Sequence, residues 1–126
     1  MTERSPDIEI YLKRVPEEAV LEWLSLNFEV NGTREKGATL HVDLVYGSEP
    51  VQCAIVREAA RGGYCSVWFK ENRTPWVNDE DCAKAAFSHF GTEIRCSKGG
   101  WEPGQADDSA WLRITDKGVS EVNWRT

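Results

Sequence analysis

The residues best equipped to do chemistry in this chain are arginines and tryptophans in its second half. Trp68, Arg95, Trp111 and Arg113 fall at alternate, polar-pattern positions of candidate strands, and Trp76 and Trp101 stand in connecting segments. Arginine reads carboxylates and other anions through two parallel N–H donors. Tryptophan and arginine are also the side chains most enriched where proteins grip one another. The six residues together therefore point to a ligand- or partner-binding face. The bland reading is that large side chains cover an open sheet, with arginine stems stacked on indole rings.

Other chemistry is sparser. His41 and Asp43 sit two apart on one strand and so share a face, which would let a carboxylate orient an imidazole. A solvated surface histidine explains the pair as well. His89 falls near a helix end, where a cation is mildly favoured. No nucleophile elbow, zinc-protease helix motif, phosphate-binding loop or dinucleotide fingerprint occurs. Asp79-Glu80-Asp81 has too little spacing between carboxylates for a calcium loop, and helix-start electrostatics account for it. Cys53, Cys65, Cys82 and Cys96 lie 12, 17 and 14 residues apart inside apolar segments. That spacing suits reduced core thiols rather than a disulfide or zinc framework. No cofactor and no metal site is expected, and the reading favours a protein that is not an enzyme.

Charge narrows the partners. The 126 residues carry a formal net charge of −6, and neither half is basic. Nucleic acid is bound by clustered positive charge, so it is not an expected partner. No apolar run nears the length of a membrane span. The polar start Met1–Pro6 has no apolar leader core, so a cytoplasmic location is expected.

These side chains must be positioned by strands and helices. Ile8, Ile10 and Leu12 alternate with polar residues, as in a half-buried strand. Pro16, Glu17 and Glu18 open a helix expected over 16–28, with Val20, Leu21, Leu24 and Phe28 on its apolar stripe. Residues 31–37 read as a polar, glycine-punctuated loop. Leu40–Val45 and Val51–Val56 read as a hairpin, and residues 59–63 as the joint between halves. Cys65, Val67 and Phe69 mark the next strand. Asn78 caps a second helix over 79–90, closed by Gly91. Thr92–Ser97, Trp111–Thr115 and Val119–Trp124 complete the strands, with residues 98–109 a long loop and a turn at Asp116-Lys117-Gly118.

The pattern predicts a single α+β domain over 1–126: an antiparallel-dominated sheet of about six to seven strands with two helices on one face. Its order suggests a tandem βαββ repeat, with halves 7–58 and 64–126. Such an arrangement resembles the ferredoxin-like and tandem-βαββ superfolds, a group that includes small-ligand-binding regulator domains. The expected function is a non-enzymatic binding or protein-interaction module that uses the Trp/Arg face, with a protein partner or self-association favoured over a small molecule. One alternative is a ligand sensor or minor enzyme with a groove between the halves, supplied by His41, Asp43, Arg95 and Arg113. A weaker one is an acidic immunity or inhibitor protein.

Overall fold

A computed structural model describes residues 5–97 and 110–123 of the chain. Strand β1 (Ile8–Lys13) leads to helix α1 (Glu17–Asn27). A meander follows: β2 (Glu29–Lys36), β3 (Thr39–Tyr46), β4 (Glu49–Ala60) and β5 (Tyr64–Phe69). Helix α2 (Asp79–Phe90) precedes β6 (Ile94–Ser97), β7 (Ala110–Thr115) and β8 (Gly118–Asn123). All described strands join one eight-stranded sheet in the order β2-β3-β4-β5-β1-β6-β7-β8. Every neighbouring pair is antiparallel.

The sheet thus has one more strand than the expected six to seven. The addition is β2, the segment read as a loop. It pairs along β3, yet its residues are almost all exposed. An edge strand held by backbone hydrogen bonds with both faces wet needs no alternation of apolar residues, so period-based reading passes over it. Glycine serves where the backbone turns left-handed: Gly37 bridges β2 and β3 at φ 62°, and Gly118 opens β8 at φ 107°.

Alternation in the central strands follows from burial of one face. Ile8, Ile10 and Leu12 of β1 are fully buried, as are Val67 and Phe69 of β5. Helix α1 lays Val20, Trp23 and Leu24 into the same core cluster that receives Cys82, Ala83 and Ala86 of α2. Small residues on α2 let that helix approach β1 and β6 closely, and bulky ones on α1 fill the rest. The caps of α2 are well made. Asn78 accepts from the Asp81 amide at 2.8 Å, and Gly91 ends the helix at φ 69°. Helix α1 follows Pro16 and passes through extended Phe28 directly into β2.

Trp76 departs from expectation. Read as a loop residue of the binding face, it is 9% exposed. Its ring stacks on Trp23 at 5.4 Å and meets Phe28 and Phe69. The segment before α2 folds back over the core. Thr74 and Asn72 tie it with hydrogen bonds, Thr74 Oγ1 donating to Asn72 Oδ1 at 2.6 Å. Leu21 of the α1 stripe and Phe87 and Phe90 of α2 are partly buried and pack against the core.

Candidate functional site

The strand register sets which side chains share the face away from the helices. Tyr11 lies opposite both Ser66 and Arg95, and Arg95 lies opposite Arg113. One row therefore crosses β5, β1, β6 and β7 as Ser66, Tyr11, Arg95, Arg113. In the next row Trp68 faces Glu9 and Ser97 faces Trp111. Each of these alternates with a buried partner such as Ile10, Val67, Ile94 or Ile114. Trp68, Arg95, Trp111 and Arg113 thus occupy one face. Trp76 belongs to the core, and Trp101 lies outside the described residues.

The four do not form one contact group. Trp68 donates its indole N–H to Asp7 Oδ2 at 2.8 Å, and Lys70 Nζ stands 5.6 Å from its ring. Arg95 and Arg113 belong instead to a cluster with Tyr64, Glu93, Tyr11 and Trp111. Tyr64 donates its hydroxyl to Glu93 Oε2 at 2.5 Å. Arg95 Nε donates to the same oxygen at 2.8 Å, and its guanidinium lies 5.2 Å from the Tyr64 ring centroid. Tyr11 and Trp111 meet edge to face at 5.4 Å. Arg95 and Glu93 side chains are each only 16% exposed. Arg113 Nε is buried and has no hydrogen-bond acceptor among the described residues.

Electrostatics follow from this packing. Burial raises the Glu93 carboxyl, but the Tyr64 hydroxyl and Arg95 outweigh it and hold the group below its usual range, with Lys13 assisting. Burial, reinforced by the bond to Glu93, pushes the Tyr64 phenol up to about 12. Glu93 therefore stays ionised and Tyr64 stays a neutral donor near neutrality. Glu93 stands against Arg95 and Lys13, and Glu9 accepts a hydrogen bond from Tyr11 at the other side of the cluster.

Tyr11, Tyr64 and Glu93 were not among the sequence-predicted site residues. Their signal was present for Tyr11 and Glu93, since both alternate with buried neighbours. Tyr64 opens its strand after two glycines, and only the β1 pairing brings it to Glu93. His41 and Asp43 share the open face but sit on β3, four strands from β6, or about 19 Å at the usual strand spacing. The structure does not bring them to Arg95 and Arg113.

The thiols are poor candidates for chemistry. Burial pushes Cys53 and Cys96 up to about 12 and Cys82 well above its ordinary value. Among the described residues no group of three or more His, Cys, Asp or Glu is placed to hold a metal ion, and no helix is long and apolar enough to cross a membrane. Comparison with protein-family models, with curated proteins and with solved structures finds no match for this chain.

Proposed function

We propose that the chain is a non-enzymatic interaction module whose sheet face away from the helices, around Arg113, receives a carboxylate of a protein partner. The buried Arg113 Nε without an acceptor carries the reading. A buried donor left unpaired costs stability, and strained or unsatisfied groups concentrate where a protein binds something. Arg95 is already committed to Glu93, so Arg113 is the arginine with a donor to offer. Tyr11 and Trp111 supply rigid apolar area beside it, the combination found at binding hot spots. A cytoplasmic setting accords with four free, buried or half-buried thiols.

We also read the four central strands, β4-β5-β1-β6, as a ferredoxin-like core. Helix α1 leads from β1 towards β4 through an inserted β2–β3 hairpin, α2 links β5 to β6 around β1, and β7–β8 are appended. The tandem-repeat reading rests on the order strand, helix, three strands in both halves. Strand pairing departs from it, because the first meander joins β5 by its last strand and the second joins β1 by its first.

The test compares the intact protein with Arg113→Met on an array of peptides differing only by Glu→Gln or Asp→Asn exchanges, together with light scattering of each protein. Binding that depends on the peptide carboxylate and falls at least about tenfold in Arg113→Met is expected. Carboxylate-dependent self-association lost in the same variant would make a second copy the partner. Equal retention by both proteins, or no retention with a monomer throughout, sinks the proposal. Methionine preserves the aliphatic stem, so the variant should fold and be at least as stable.

A further inference from the structure

Away from the arginine cluster, the pairing of β4 with β5 slips between Val56 and Ala60. Glu58 adopts φ 50° at this bulge, and Arg14, also left-handed at φ 56°, donates its amide to the Gly63 carbonyl at 2.8 Å. Non-glycine residues rarely hold such conformations, and they gather at ligand sites. Bulges likewise recur beside binding sites. The slip opens a cavity of about 200 Å³. Val15, Ile55, Tyr64 and Cys65 make its walls, and Glu17, Arg57 and Glu58 border it.

We infer that this cavity binds a small apolar ammonium ion, an alkyl- or arylamine in its protonated form. Size sets the first limit, since apolar cavities of about 150 Å³ take up a benzene ring. Charge sets the second. Arg57 Nη2 donates to both oxygens of Glu17 at 2.9 Å and to Glu35 Oε1 at 2.6 Å. Two carboxylates thus already surround the Arg57 guanidinium at the mouth, and the Arg14 side chain lies beside Gly63 on the rim. Glu58 adds a third carboxylate, with no hydrogen-bond or ion-pair partner among the described residues. Glu17, Glu35 and Glu58 stand against Arg57 and Arg14, so an anion entering here meets a net negative rim, and a neutral apolar molecule gains only the walls. An ammonium with an apolar body gains both. The Cys65 thiol donates to the Val15 carbonyl at 3.9 Å, and burial raises it above its ordinary range. It is a neutral wall rather than a nucleophile. The site is distinct from the arginine face, although Tyr64 borders both.

Titration of the intact protein with benzylammonium, benzyl alcohol and benzoate, followed by amide shifts of Ile55, Gly63 and Cys65, tests this. Saturable shifts are expected with benzylammonium, with affinity about three- to fivefold above benzyl alcohol, the scale of a partly exposed ion pair, and benzoate weakest. Glu58→Gln, at an exposed side chain, should bring benzylammonium down to the level of benzyl alcohol and leave benzyl alcohol unchanged. Benzoate binding as tightly as benzylammonium, absence of saturable shifts with benzylammonium, or an unaltered preference in Glu58→Gln would each overturn the assignment.

Discussion

Asp79 shows how one residue's surroundings set a pH dependence. It opens α2 and accepts from the Ser97 hydroxyl at 3.1 Å. Burial, with Asp7 and Glu9 nearby, pushes its carboxyl from 3.8 up to about 6. The folded chain therefore takes up this proton before the unfolded chain does. Stability from this group rises as pH falls from about 6 towards 3.8, and above that window the full penalty of the buried charge applies. Asp79→Asn should raise stability at about pH 7 by about 1 kcal/mol, a figure reduced for partial exposure and lost helix-start attraction. It should change little at about pH 3, where the carboxyl is largely protonated in the folded and the unfolded chain alike. Urea unfolding at both pH values decides it, and equal effects would contradict the argument. Trp76 lies at the opposite extreme, a residue whose value is packing. Trp76→Ala removes a ring stacked on Trp23 and should cost about 3–5 kcal/mol. A loss under about 1 kcal/mol in denaturant midpoint would instead mark Trp76 as a surface residue.

Among the elements, α2 was the most legible, because its ends are written in side-chain and backbone chemistry. Asn78 and Gly91 each act through a single local device. Nothing lies within 4 Å of where a Gly91 Cβ would sit, so Gly91→Ala pays only for the left-handed backbone. Gly91→Ala and Asn78→Ala should each cost about 1 kcal/mol and add in the double variant. Thermal or urea unfolding of the three variants checks this, and a cost near zero for either would show that the cap is idle. Strand β2 stands at the other end of legibility. Glu29–Lys36 contains a single large apolar residue, Val30, and its partner strand β3 lies beyond the turn at Gly37. Its pairing comes from a template, not from its own pattern. Strands β1, β3 and β7, by contrast, alternate because one side faces the helices.

For the whole molecule, the strand order places β1 and β5 at the centre and β2 and β8 at the edges. Opening the centre disrupts ladders on both sides and uncovers Ile10 and Val67, which are fully buried. Amide exchange should therefore be slowest in β1 and β5, near the global unfolding limit, and fastest in β2. Exchange in β2 as slow as in β1 would mean that this edge is covered in solution, as in a self-associated form. The open face then becomes a property of the assembly rather than of the chain alone.

Local pattern by itself determined the two helices, seven of the eight strands and the inward set Ile8, Ile10, Leu12, Val67 and Phe69. It also placed Trp68, Arg95, Trp111 and Arg113 on polar-pattern positions, because side-chain direction in a strand has a period of two and needs no knowledge of neighbours. Tertiary structure alone decided which strands meet. The insertion of β1 between β5 and β6 brings Tyr64 to Glu93, and the slip of β4 against β5 opens the cavity at Glu58. The fold-back of the α2 leader buries Trp76. These are contacts between residues distant in the chain, chosen by the shared burial of one face, and no periodicity within a single segment encodes them.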